Sequence, residues 1–406
     1  MREAATLLLY QFPETPVDEQ PEGLILSPFH RQSQFVGRSD DLASLIEWLA
    51  DSRSILSRTL FGPPGVGKTR LALQLCSQAG GWRSGFARKE HLRRLVNHPG
   101  LDNWSWEYPT LIVVDDASSS GDELARLFES LSDRIDRDDK PPKLRILLLD
   151  RTASVDEGWY ALVHGYPGDY ESRTIQVADP GHPVQLAALD SRSAKAVIDD
   201  VLVRRVGNIS SAKAILLELE TSDDSDSLSG NPLFLQVAAY ETEDGGPPAL
   251  SRMSLLKAVV RRESIKLQKE WKSQGLPDFS FEGLQKLLAI MTIAGRNEPS
   301  DLPDILVRFD DLKMLRSTVT LGQIIQAFQR RPRPEIKMEP DLIGDLFSAD
   351  CEVSPATIAA IYEDDPHRVA SRLWRWLGDF GMDRDISARI TVWLKEIASM
   401  LICTEK

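Results

Sequence analysis

Residues 62–69 read Gly62-Pro63-Pro64-Gly65-Val66-Gly67-Lys68-Thr69, and no other stretch so narrows what the chain can fold into. The glycines let the backbone turn its N–H groups inward, which builds a nest for an anion. An apolar strand candidate, Ser57 to Phe61, precedes the stretch and a helical pattern, Arg70 to Gln78, comes after it. The positive end of that helix would add to the nest. The string fits G-x-x-x-x-G-K-[ST] in the strand–loop–helix setting that this pattern needs. It places Lys68 to reach β- and γ-phosphates and the Thr69 hydroxyl to ligate Mg²⁺.

Two further apolar runs end in charge. Thr110-Leu111-Ile112-Val113-Val114-Asp115-Asp116 has the unbroken apolar character of a buried parallel strand. It delivers its carboxylates at the C-terminal end, the edge at which such sheets bind ligands. Asp115 is the candidate for the metal side and Asp116 for orienting or activating water. Arg145-Ile146-Leu147-Leu148-Leu149-Asp150-Arg151 is a similar run. Where an extra strand lies between the two motif strands, an arginine past its end faces the γ-phosphate, and a guanidinium reports whether that phosphate is there. Taken singly, each run passes for an ordinary buried strand with a helix cap or a solvated loop arginine; beside Gly62–Thr69 they read as one site.

Strand candidates at Trp82–Ala87 and Arg173–Val177 join these, separated by helical patterns such as Asp40–Ala50 and Asp122–Ile135. Alternation of this kind predicts βαβ units and a largely parallel sheet. After Asp179-Pro180-Gly181 the strand signal fades, and Val184–Leu219 reads as two helices. The polar run Thr221–Gly230 is a loop, Leu233–Tyr240 a helix and Glu243–Pro248 a hinge. From Met253 the chain is mainly helical to its end, with amphipathic stretches at Pro366–Phe380 and Ile386–Leu401. The first 34 residues carry four prolines and little periodicity, and read as a leader or linker.

In this order the motifs resemble the STAND class of P-loop NTPases, which includes the NB-ARC and NACHT switches. Phe35-Val36-Gly37-Arg38 resembles the family's signature upstream of the P-loop, and that likeness assigns Phe35, Val36 and Arg38 to the adenine side, with Arg70 also at the nucleotide. Gly230-Asn231-Pro232 resembles the G-x-P motif, whose proline packs near the nucleotide. Gly81-Trp82-Arg83-Ser84-Gly85-Phe86 is similar to the second strand of bacterial members. Glu339–Leu346 resembles the winged-helix segment that carries Met-His-Asp, with Pro340 where the histidine would stand; Asp341 is the remaining candidate for that latch. The likeness spans about Phe35 to Phe347. It implies an α/β P-loop NTPase domain, a parallel five-stranded sheet in three α/β/α layers, then a helical subdomain and a winged-helix-like, mainly α domain. The expected divisions are 1–34 leader, 35–180 P-loop domain, 181–250 helical subdomain, 251–350 winged-helix-like domain and 351–406 C-terminal helices. No effector domain and no full helical sensor fit at either end, so a switch module by itself is expected, either a truncated product or one subunit of a multi-gene system.

Composition sets the remaining bounds. A net charge of −13 disfavours non-specific nucleic-acid binding. Cys76, Cys351 and Cys403 are scattered and odd in number, against a disulfide framework, and no apolar run approaches the roughly 20 residues of a membrane helix. A cytoplasmic protein is the expectation. The six histidines lack metal-ligand spacing, and the nine tryptophans, Trp374 and Trp376 among them, read as packing residues. The leading expectation is an ATP/ADP- and Mg²⁺-binding switch with weak ATPase activity, self-associating or acting with a separate effector or sensor, in bacterial signalling or antiviral defence. The alternatives are a DNA-acting ATPase of the AAA+ or origin-recognition type, and a nucleotide-dependent scaffold without turnover.

Overall fold

Strands β1 (Leu9–Tyr10), β2 (Ile55–Phe61), β3 (Arg83–Ala87), β4 (Thr110–Asp115), β5 (Leu144–Asp150) and β6 (Val184–Gln185) form a sheet in the spatial order β1-β3-β4-β5-β2-β6. The computed structural model describes residues 9–10, 26, 28–30, 33–99, 101, 104–135, 141–165, 173–179, 182–206, 212–222, 228–241, 251–328, 336 and 341–404. They fall into two compact units. The first comprises the described parts of Met1–Thr15, Ser33–Asp200 and Ser229–Leu233, the second those of Pro16–Gln32, Val201–Leu228 and Phe234–Lys406.

In the first unit β3, β4, β5, β2 and β6 run parallel and β1 is antiparallel to β3. All of β5 is buried, as a strand with neighbours on both edges should be. Helices α1 (Ser39–Ala50), α2 (Lys68–Gln78), α3 (Lys89–Val96), α4 (Gly121–Ile135) and α5 (Gly158–His164) cover the sheet. Side chains alternate across a strand. Ile112, Val114, Ile146 and Leu148 therefore meet Leu92, Leu127, Phe128 and Val163 of α3, α4 and α5 in one core layer. Leu111, Val113, Leu147 and Leu149 point to the opposite face, where α2 touches β4 and β5. The result is three layers, α/β/α.

Three expectations change here. Arg173–Val177 is a 3-10 helix, not a strand. Val177 turns into the core beneath α4 instead of alternating along a ladder, and only Ala178 bridges β2, at Ser57. The parallel partner on that side is Val184–Gln185, which pairs with Leu60 and Phe61 inside a segment expected to be helical. The sixth strand comes from the segment read as a leader: Tyr10 stacks on His91 with centroids 5.4 Å apart and lies beneath the Arg88 guanidinium. Gly85 admits this strand, since a Cβ there would sit 2.8 Å from the Tyr10 carbonyl oxygen.

The remaining helices are α6 (Ser191–Val206), α7 (Ala212–Thr221), α8 (Pro232–Glu241), α9 (Arg252–Ser273), α10 (Phe281–Ala294), α11 (Leu302–Arg308), α12 (Lys313–Thr318), α13 (Leu321–Phe328), α14 (Asp341–Asp350), α15 (Pro355–Asp364), α16 (Pro366–Phe380) and α17 (Arg384–Thr404). α10 is apolar nearly all round and is therefore central in the second unit, packed by α14, α15 and α16. Ser354 and Asp365 cap α15 and α16, each followed by proline at the first helical position. No strand occurs among the described residues 251–404. Pro340 and the Glu243–Pro248 hinge lie outside the described residues, and Asp341 is the exposed first residue of α14. Of the paired tryptophans, Trp376 is fully buried against Trp393, whereas Trp374 is 67% exposed and does not belong to the packing set. Its place on the amphipathic α16 turns it outward.

Candidate functional site

Register decides which loops meet. Phe61 pairs with Asp150 and Asp115 with Leu149, so the loops after β2, β4 and β5 leave the same sheet edge. The loop after β2 needs its glycines. Gly62, Gly65 and Gly67 have φ of 153°, 83° and 102°, values at which a Cβ is strained. Gly65 also has no room for one: a Cβ would lie 2.7 Å from Asn231 Oδ1. Lys68, the first residue of α2, is 9% exposed, and its ammonium donates to the carbonyls of Gly62 (2.7 Å) and Pro63 (3.2 Å). Burial lowers its pKa to about 8; Asp115 pulls it back up, Arg151 pushes it further down, and Asp150 and Asp116 support the charge. Arg151 and all three carboxylates therefore lie within electrostatic reach of this lysine.

Thr69 Oγ1 donates to Asp115 Oδ2 at 2.9 Å, joining the start of α2 to the end of β4. One hydroxyl and one carboxylate are hard oxygen donors. They suit Mg²⁺, a cation that keeps waters and takes substrate phosphates as its other ligands. Asp116 comes next with φ 58° and ψ 51°, alone among the described non-glycine residues in having positive φ. Asp150, buried at 5% exposure, accepts from the amides of Ser118 (2.7 Å), Arg151 (2.7 Å) and Thr152 (3.3 Å). Burial first, and the Asp116 charge second, raise its pKa above the ordinary carboxylate value.

The upstream residues converge on the same loop. Arg38 is buried and donates to the Val66 carbonyl at 3.0 Å and to Asp41 at 3.3 Å; burial lowers its pKa, against the pull of Asp41. The Arg70 guanidinium lies 5.6 Å from the Phe35 ring centre and reaches the Ser33 carbonyl at 3.4 Å. Val36 is half-buried between Phe35 and Gly37. From the far end of the unit, Asn231 Nδ2 donates to the Pro64 carbonyl at 2.9 Å, and Pro232 Cγ lies 3.8 Å from where a Gly67 Cβ would sit. The structure thus gathers Phe35, Arg38, the Gly62–Thr69 loop, Arg70, Asp115, Asp116, Arg151 and Pro232 around one loop. Sequence reasoning passed over Asp150 and Asn231 as participants. Asn231 stood inside the Gly230-Asn231-Pro232 motif; Asp150 carried no signal beyond being the last residue of an apolar strand.

A glycine-rich loop from β2 to α2, a hydroxyl–carboxylate pair between the start of α2 and the end of β4, and a β5 inserted between β2 and β4 make this a P-loop α/β fold. No protein-family model matches the chain, and no curated protein does. Among solved structures it is similar to the Aeropyrum pernix ORC2 protein in its ADPNP–ADP complexes, at 14% identity over 76% of this chain and 86% of that one, with a TM-score of 0.37. It is similar to the Thermotoga maritima RuvB Holliday junction branch migration motor at 14% identity over 72% and 88%, with a TM-score of 0.32. The third likeness, to the E. coli MS115-1 HORMA:CdnC:Trip13 complex, has 12% identity over 64% and 97% and a TM-score of 0.36. Likenesses this weak say nothing about what the chain does.

Proposed function

We propose that the chain is an ATP-binding switch of the STAND type, with slow Mg²⁺-dependent hydrolysis, whose output is a conformational change or a change of oligomeric state in bacterial signalling or antiviral defence. The observation that carries this reading is the 2.9 Å bond between Thr69 and Asp115 beside the buried Lys68 ammonium. Lys68 and backbone amides of the Gly62–Thr69 loop take the phosphates. Thr69 and Asp115 hold Mg²⁺, which when bound neutralises charge on the β- and γ-oxygens. Asp116 orients or deprotonates the attacking water, and Arg151 pairs with the γ-phosphate. Phe35, Val36, Arg38, Arg70 and Pro232 frame the rest of the nucleotide. A cytoplasmic setting goes with this reading; among the described residues no helix is long and apolar enough to cross a membrane.

The test is sedimentation velocity of the purified chain with a non-hydrolysable ATP analogue and with ADP, alongside phosphate release from Mg·ATP. The proposal expects slow release and different sedimentation in the two nucleotides. Release with identical sedimentation contradicts the switch, and no release contradicts the ATPase. Tight duplex DNA binding at low salt that stimulates release would move the chain to the DNA-acting class.

A further inference from the structure

We infer that Asp150 is a positioning residue that sets the geometry of Asp116 and Arg151 without touching nucleotide itself; the inference rests on the ATPase reading above. Asp116 sits in the left-handed region, a conformation that a non-glycine residue keeps only when its surroundings over-determine it. The two serines just beyond Asp116, Ser118 and Ser119, supply that restraint. Ser119 donates to the Asp116 carbonyl through its amide (3.0 Å) and its hydroxyl (2.8 Å). Ser118, between them, is held from outside: its amide donates to Asp150 Oδ2 at 2.7 Å. The other oxygen of the same carboxylate accepts the Arg151 and Thr152 amides, at 2.7 and 3.3 Å. The Asp150 backbone carbonyl accepts the Gly62 amide at 3.2 Å. One buried residue therefore ties the first glycine of the phosphate loop, the turn that presents Asp116 and the turn that presents Arg151. A buried carboxyl group that accepts from three amides is a strong restraint on backbone direction. These partners are main-chain amides, joined by the Ser118 side chain beside its own amide, so the carboxylate acts through the loops.

Asp150→Asn isolates the arm toward Asp116. It keeps one acceptor oxygen for Arg151 and Thr152 but turns an amide donor toward the Ser118 N–H, while the backbone bond to Gly62 stays. Ser118→Pro removes the same bond from the other side, together with the Ser118 side chain's own bond to Asp150, and leaves the carboxylate in place. Both variants are expected to lower kcat for Mg·ATP about 10- to 100-fold, with nucleotide affinity within about threefold of wild type. A merely structural role would shift affinity and thermal midpoint together with kcat. Wild-type kcat in a folded Asp150→Asn protein, or a loss of affinity as large as the loss of kcat, would overturn the inference. If Asp150→Asn does not fold, Ser118→Pro decides on the same criteria. A wild-type chain that turns over no ATP would instead overturn the function proposed above, and the inference with it.

Discussion

Lys68 and Arg145 are two buried cations on one sheet, at opposite ends of its strands. Arg145 is fully buried at the N-terminal end of β5, where its guanidinium donates to the carbonyls of Trp48 (3.0 Å), Asp51 (2.8 Å), Leu144 (3.0 Å) and Ser54 (3.4 Å). Burial lowers its pKa to about 10, with Asp51 pulling the other way. Lys68 is nearly as buried, with Asp115, Arg151, Asp150 and Asp116 all in reach. Both cations donate to neutral carbonyls, and Arg145 has Asp51, Arg53 and Asp179 in electrostatic reach; its carbonyls tie β5 to the α1–β2 connection. Around Lys68 stand carboxylates, positive-φ glycines and a strained aspartate. A buried charge alone does not mark a site. Several titratable groups converging beside unusual backbone do.

That contrast can be broken in graded steps. Asp116→Ala should slow hydrolysis by about 10²- to 10⁴-fold and spare binding, because the carboxylate acts on water and not on the ground-state phosphates; single-turnover phosphate release reads it, and wild-type turnover would remove Asp116 from the chemistry. Arg145→Ala should cost about 2–4 kcal/mol of stability in denaturant unfolding, by leaving several buried carbonyls unpaired, with nucleotide affinity of the folded fraction unchanged. Arg151→Ala should weaken ATP-analogue binding relative to ADP by about 1.5–3 kcal/mol, with little rescue by lysine, which lacks the planar fork; an unchanged ratio would mean that the γ-phosphate is sensed elsewhere. The smallest effect is on pH. Lys68 is raised back toward its ordinary pKa by a bound phosphate, so the free protein must take up a proton to bind once pH exceeds about 8. Affinity should therefore fall as pH rises, about fourfold between pH 7 and 8.5, and a flat profile would contradict a charged Lys68 at the phosphates.

Much of the first unit was legible because its signals are local. Gly62–Thr69 and the apolar runs ending at Asp115 and Leu149 each declare themselves within a few residues, as does the helix of Pro366–Phe380 in the second unit. The features that stayed hidden depend on long-range pairing. Nothing near Asn231 shows that its amide will reach Pro64, 167 positions away. Leu9–Tyr10 becomes a strand only because β3 offers it an edge. Arg173–Val177 alternates like a strand, but the space beside β2 there is taken by Val177 entering the core, and the ladder forms later at Val184. Asp150 reads as the end of a strand until the three amides it accepts are seen together.

The difference between the two cations is tested most directly by calorimetric titration of a non-hydrolysable Mg·ATP analogue into wild-type and Lys68→Ala protein. The account predicts binding by wild type and a loss of at least about a hundredfold in the variant, since a desolvated, charge-assisted phosphate contact is worth a few kcal/mol. The variant's melting temperature should be no lower than wild type's, because Lys68 satisfies two loop carbonyls at the expense of a buried charge. Equal affinity in the two proteins would contradict the assignment of this sheet edge as the nucleotide site.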